Sequence, residues 1–301
     1  MCATCGCSDS AESKIVNLQT GKTLTLQGVE HSHDHEHSHD HEHSHDHEHS
    51  HDHEHSHDHE HSHDHEHSHD HEHSHDHKHA QSRVISLEEQ VLAKNDLKAE
   101  RNRGWFEGSN ILALNLVSSP GAGKTTLLER TIKDLQNEFS IGVIEGDQAT
   151  INDAERIAKT GCRVVQINTG AGCHLDAQML ANGLEQLKPE RDSVVFIENV
   201  GNLVCPALFD LGEKSKVTIL SITEGEDKPV KYPHMFRASE VLLLNKMDLL
   251  PHLNFDLEAC KKYALLVNPK IKIIEVSAQT GSGLAFWYDW VRQQIRICQS
   301  R

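Results

Sequence analysis

The sequence predicts an α/β fold, a mostly parallel sheet with helices on both faces, preceded by a histidine-rich region that cannot build a core. Three observations predict it. Seven apolar runs, at 112–117, 141–145, 164–167, 194–198, 217–222, 241–245 and 271–276, alternate with stretches of helical pattern. Continuous apolar strands separated by helices imply a sheet buried on both sides. A glycine-rich loop follows the first run directly and opens a helical stretch. Finally, residues 31–79 repeat His-Ser-His-Asp-His-Glu with histidine at every odd position and no aliphatic side chain. Such a segment cannot offset the entropy of ordering itself and is expected to be disordered.

Composition divides the 301 residues into four parts: a cysteine-bearing head (1–30), the histidine tract (31–79), a charged helical connector (80–109) and the α/β domain (110–301). Most of the formal charge of −17 belongs to the tract, whose eight Asp, seven Glu and one Lys carry −14 and leave −3 for everything else. A nearly balanced fold gives a nucleic-acid partner no support. No apolar run reaches the length of a membrane span, and the start, Met-Cys-Ala-Thr-Cys-Gly-Cys, lacks the basic and apolar regions of a signal peptide. The expected location is the cytoplasm, where disulfides are disfavoured. Clustered thiols then read as metal ligands, and Cys162, Cys260 and Cys298 as structural.

Taken in order, each strand of the α/β domain ends in a loop with its own chemistry. Right-handed crossovers would gather these loops on one sheet edge, where ligands of such folds bind. The first strand leads into Ser118-Ser119-Pro120-Gly121-Ala122-Gly123-Lys124-Thr125-Thr126, a P-loop. Backbone N–H groups from Gly121 to Thr126 at a helix N-terminus can surround concentrated phosphate charge. Lys124 bridges the β- and γ-phosphates, and Thr125 ligates Mg²⁺. Ser118 stands where the usual pattern has its first glycine, which the turn tolerates if φ there is negative.

The second strand ends at Glu145-Gly146-Asp147, and Asp153 follows shortly after; either aspartate is placed to serve Mg²⁺ or the attacking water. The fourth ends at Glu198-Asn199-Val200-Gly201, where Glu198 takes the Walker B place and the Gly201 amide could touch the γ-phosphate. After the sixth comes Asn245-Lys246-Met247-Asp248. The Asp248 carboxylate can accept from the N1 and N2 hydrogens of guanine, which adenine lacks. Asn245 supports that loop, Lys246 lies over the base, and Ser277-Ala278 after the last strand faces guanine O6. No glutamine is poised to orient water, so hydrolysis is expected to be slow until assembly or a partner assists.

Three metal constellations accompany the nucleotide motifs. Cys2, Cys5 and Cys7 place three thiols within six positions, able to close on one soft or borderline metal. Cys173 and His174 follow the third strand, and Cys205 lies four residues after Gly201. This N/S set suits Ni²⁺ or Zn²⁺, and a symmetric dimer could pool it at its axis. The tract's imidazoles bind divalent transition metals at neutral pH and release them on protonation. Histidines 234 and 252 read as ordinary surface groups.

Together, the thiol head, the tract, Pro-Gly-Ala-Gly-Lys-Thr-Thr, Glu-Gly-Asp, Cys-His-Leu-Asp-Ala, Glu-Asn-Val-Gly-Asn-Leu-Val-Cys-Pro and Asn-Lys-Met-Asp resemble the hydrogenase nickel-incorporation GTPases of the HypB family. The resemblance spans essentially the whole chain. It implies a P-loop NTPase of SIMIBI-type G-domain architecture that binds GTP/GDP and Mg²⁺, dimerises with GTP, and delivers nickel to the [NiFe]-hydrogenase large subunit precursor with a HypA-like nickel/zinc accessory protein. It further implies a tight nickel site at Cys2, Cys5 and Cys7 and a weaker nickel or zinc site at Cys173, His174 and Cys205. Two rival readings are a urease-type nickel accessory GTPase and a nickel/zinc storage or buffering protein with a regulatory nucleotide domain.

Overall fold

The structure, a computed structural model, describes residues 13–26, 77–148 and 150–300. The cysteines at 2, 5 and 7 and nearly all of the histidine tract lie outside them. The chain divides into two compact units, one made of Met1–Gly28 with Arg83–Arg301 and the other of Val29–Ser82. Of the second, only the helical residues 77–82 are described.

The first unit is built on a nine-stranded sheet. In chain order its elements are β1 (Ser13–Asn17), β2 (Thr23–Leu26), the part of α1 (His77–Gly108) from Arg83 onward, β3 (Leu112–Ser118), α2 (Lys124–Leu135), β4 (Ile141–Asp147), α3 (Asn152–Ala158), β5 (Arg163–Asn168), α4 (Ala177–Leu187) and β6 (Val194–Glu198). There follow α5 (Cys205–Leu208), β7 (Ser215–Ser221), α6 (Lys228–Lys231), α7 (Pro233–Ala238), β8 (Ser239–Asn245), α8 (Leu257–Val267), β9 (Lys272–Glu275) and α9 (Leu284–Gln299). The strand order is β2-β1-β5-β4-β6-β3-β7-β8-β9. All pairings from β5 to β9 are parallel. Each of the seven apolar runs forms one of these parallel strands.

Alternation along the strands sorts the core onto two faces. Leu112, Leu114 and Leu116 of β3 pack with α2 residues Leu127, Leu128 and Ile132 and with Trp287 and Val291 of α9. The intervening Ala113 faces the opposite side with Phe106 of α1 and Leu180 and Leu184 of α4. Val117 joins Phe236 of α7 and Cys260 and Ala264 of α8. Cys162 and Cys260 are buried, as expected of structural thiols, and burial pushes both thiols up to about 12.

Two parts of the first unit depart from the sequence reading. The connector is helical as expected, but one face of it is buried in the core at Ala99 and Phe106. Its Asn95 and Asn102 hold the start of α4, Asn95 Oδ1 accepting from Ala177 N (2.9 Å) and Asn102 Nδ2 donating to Ala177 O (2.8 Å). The distal part of the expected head forms the β1–β2 hairpin, antiparallel to β5. A lone hairpin is marginal in water, but pairing with a sheet edge and burying Ile15 completely stabilises it. The register sets Lys14 opposite Asn168 and Asn17 opposite Val165. Because β5 ends at Asn168, β1 begins on the edge that carries the functional loops. Among the described residues, no helix is long and apolar enough to cross a membrane.

Candidate nucleotide cleft and metal cluster

The P-loop joins β3 to α2, and around it opens a cleft of about 550 Å³ lined by Ser118 to Thr126, Glu145 to Gln148, Asp153, Arg156, Val200, Gly201 and Lys246. The turn takes positive φ at Gly121 (75°) and Gly123 (91°) but not at Ser118, so serine costs nothing there. Glu198 reaches in from the end of β6. Its Oε1 accepts from Lys124 Nζ at 2.9 Å and from Thr125 Oγ1 at 2.6 Å, while its buried Oε2 has no partner. A buried carboxylate thus holds both the lysine and the threonine of the P-loop.

Both aspartates line this cleft but are engaged differently. Asp147 accepts from Gln148 N (2.8 Å), Thr150 N (3.0 Å) and Thr150 Oγ1 (2.7 Å). Burial alone would raise its pKa, but these hydrogen bonds prevail and hold the carboxyl below its ordinary range. Asp153 pairs with Arg156, which also donates to Thr126 Oγ1 and Glu129. Sequence reasoning passed over Glu145. It is 2 % exposed, and burial first, then the neighbouring Glu198 and Asp147, raises its carboxyl to about 9. A glutamate inside an apolar strand pattern gives no sign of this, because Glu198, the stronger of its two charged neighbours, comes from another strand, β6.

Gly201 packs against the P-loop so closely that a Cβ added there would meet the Pro120 backbone at 3.2 Å. At the other end of the cleft, Asn245 Nδ2 donates to Ala122 O (2.9 Å) and its Oδ1 accepts from Ala278 N (3.1 Å), joining three loops. Lys246, itself in the left-handed region (φ 64°), donates to Gly121 O at 2.8 Å. The Asp248 carboxylate accepts from Ser277 Oγ at 2.5 Å, at the wall of a pocket of about 250 Å³ lined also by Thr126, Leu249 and Gln279. The Asp248 carboxylate is therefore oriented by the serine of the last loop.

The second cluster stands further along the same edge. Cys173 Sγ lies 2.9 Å from Cys205 Sγ and 3.6 Å from His174 Nδ1. The three ligand atoms fall within 4.8 Å of one another, the single such grouping among the described residues. His174 lies against Phe209 with ring centroids 3.9 Å apart and the planes tilted by 32°. Burial, opposed in part by Asp176, lowers its pKa, which favours the neutral imidazole a metal needs. Asn202 Nδ2 donates to Cys173 O (3.3 Å), and its Oδ1 accepts from Val204 N (2.8 Å), bracing the loop that bears Cys205. Two soft thiols and one imidazole form a donor set suited to nickel or zinc. His234 and His252 are exposed, as expected.

Comparison with known proteins agrees with this arrangement. The family model described as CobW/HypB/UreG, nucleotide-binding domain, matches residues 112–275. The hydrogenase maturation factor HypB of Rhizobium leguminosarum bv. viciae is 58% identical over 212 residues, which cover 70% of this chain and 71% of that protein. Among solved structures, the hydrogenase maturation factor HypB from Archaeoglobus fulgidus superposes with a TM-score of 0.63 at 40% identity, over 67% of this chain and 99% of the other. HypB from Helicobacter pylori, solved in complex with nickel, gives a TM-score of 0.63 at 34% identity over 67% and 95% of the two chains. A nucleotide-binding domain match across more than half of the chain, with relatives of this identity and coverage, establishes that the chain belongs to the HypB family of hydrogenase maturation factors.

Proposed function

We propose that this chain is a cytoplasmic, GTP-hydrolysing nickel metallochaperone that supports nickel insertion into [NiFe]-hydrogenase, with its nucleotide state governing whether the ion is held or released. One observation carries the reading: the segment that leaves the phosphate cleft at Gly201 reaches Cys205 four residues later, and the Cys205 sulfur stands 2.9 Å from that of Cys173. A displacement of Gly201 by the γ-phosphate would move a metal ligand.

Within this reading Lys124 leaves Glu198 for the β- and γ-phosphates, and the backbone amides of Gly121 to Thr126 surround them. Asp248, turned by Ser277, accepts from guanine, with Asn245 and Lys246 bracing the loop and Ala278 behind O6. The unpartnered Glu198 Oε2 beside the Thr125 hydroxyl fits Mg²⁺. Thr125 and Glu198 would hold it with Asp147 or Asp153, and the ion supplies positive charge to the phosphate oxygens. Nickel is cargo, held at Cys173, His174 and Cys205, a set that also suits zinc. Cys2, Cys5 and Cys7 provide a second, tighter site, and the tract stores or buffers metal.

The exposed apolar residues Val204 and Leu208 beside the cluster support a GTP-dependent second copy covering it. A HypA-like accessory protein and the hydrogenase large subunit precursor are the further partners in this scheme. Substitution Lys124→Ala tests it against metal storage. GTP hydrolysis, followed as phosphate release, and hydrogenase maturation should both be lost while total nickel binding persists; maturation that survives the substitution would favour storage.

A further inference from the structure

We propose that Leu175 and Asn199 are positioning residues that transmit the state of the phosphate cleft to the Cys173–His174 loop, so that nucleotide acts on the metal cluster through both ligand-bearing segments. This rests on the reading above and deepens it. The route through Gly201 reaches only Cys205. Cys173 and His174 sit on a separate loop after β5, and that loop has its own connections to the cleft.

The first connection is a steric wedge. Leu175 follows His174 directly and is fully buried. Its side chain lies on Gly146 of β4, where an added Cβ would meet Leu175 Cγ at 2.8 Å and both Cδ atoms at 2.9 Å. Gly146 lines the cleft between Glu145 and Asp147. A packed interior transmits such shifts rather than absorbing them. Hydrogen bonds run beside the wedge: Thr169 N donates to Asp147 O (2.9 Å), and Gln148 Nε2 donates to Gly172 O (3.2 Å).

The second connection is polar. Asn199 follows Glu198, is fully buried, and precedes the Val200–Gly201 wall of the cleft. Its Oδ1 accepts from Leu175 N (3.2 Å) and from its own neighbour Val200 N (2.9 Å), while Nδ2 donates to Asn115 Oδ1 (3.3 Å). One amide oxygen therefore ties the segment leading to Cys205 to the residue next to His174. Its buried donors have no alternative partner in water, so movement of either segment must carry the other or break a buried bond.

β4 supplies its own control. Leu187 lies on Gly142 in the same way, at 3.0 Å from an added Cβ, but at the end of the strand away from the cleft. Truncating it leaves a similar void without touching the connection.

The test measures nickel affinity in the full chain carrying Cys2→Ser, Cys5→Ser and Cys7→Ser, read through thiolate-to-nickel absorption, which the histidine tract cannot produce. Affinity is compared between GDP and a non-hydrolysable GTP analogue, each with Mg²⁺. The readout is the ratio between the two states, because damage to the cluster alone shifts both affinities together. A ratio of roughly fivefold or more is expected in the parent. Leu175→Ala and Asn199→Ala should bring it within about twofold of unity. Asn199→Asp, which keeps the oxygen acceptor, should restore most of it, and Leu187→Ala should leave it intact. Parent-like ratios in Leu175→Ala and Asn199→Ala would overturn the inference, as would an equal collapse in Leu187→Ala. A ratio of one in the parent would instead overturn the underlying nucleotide-coupled reading.

Discussion

Glu145 shows how the cleft strains its own residues. Its carboxyl is raised from an ordinary 4.5 to about 9 by burial, with Glu198 and Asp147 adding to the effect. Below about 4.5 the group is protonated folded or unfolded and contributes no pH dependence. Between there and about 9 the folded chain keeps a proton that the unfolded chain has released. Stability therefore falls as pH rises, by up to about 1.4 kcal/mol per pH unit from this group, and levels off beyond about 9. In nucleotide-free, EDTA-treated protein, Glu145→Gln should raise Tm at pH 8, with the gain shrinking towards pH 5. A gain independent of pH would assign the effect to packing instead. Sequence pattern could not supply this, whereas Lys124, Thr125 and Asp248 were legible because their spacing within short loops fixes their neighbours.

The β1–β2 hairpin marks the limit of sequence reading among the elements. The parallel strands were legible because both faces of each are covered, which leaves runs such as Val-Leu-Leu-Leu at 241–244. β1 and β2 are short, carry only two apolar residues each and sit at one side of the sheet, so they read as part of a cysteine-bearing head. Ile15 is nonetheless fully buried, and Asn17 Nδ2 donates to Gln186 O at 3.0 Å. If the hairpin unfolds with the rest, Ile15→Ala should cost about 2–5 kcal/mol, seen as a lower urea midpoint with an unchanged m-value. An unaltered midpoint would mean that the hairpin frays independently of the sheet. The contacts of Leu175 and Asn199 were hidden for a related reason: each is local in sequence to a recognisable ligand or carboxylate, but its partner lies on another strand.

Across the whole molecule, chemistry is divided between composition and fold. In the proposed reading the tract's imidazoles bind metal through composition alone, while the nucleotide cleft and the Cys173, His174 and Cys205 cluster depend on the sheet edge that gathers their loops. Removing residues 31–79 should lower the nickel bound per chain severalfold, by equilibrium dialysis, and leave the rate of GTP hydrolysis within about twofold; loss of hydrolysis would contradict the division. The central claim is that nucleotide and metal sites share moving segments, and linkage requires the effect to be mutual. The most direct measurement is GTP-analogue affinity with and without nickel in the chain lacking thiols at 2, 5 and 7, compared with the same chain carrying Cys205→Ala. Nickel should change that affinity roughly fivefold or more in the first and leave it unchanged in the second. Equal affinities with and without nickel in the first would contradict the account.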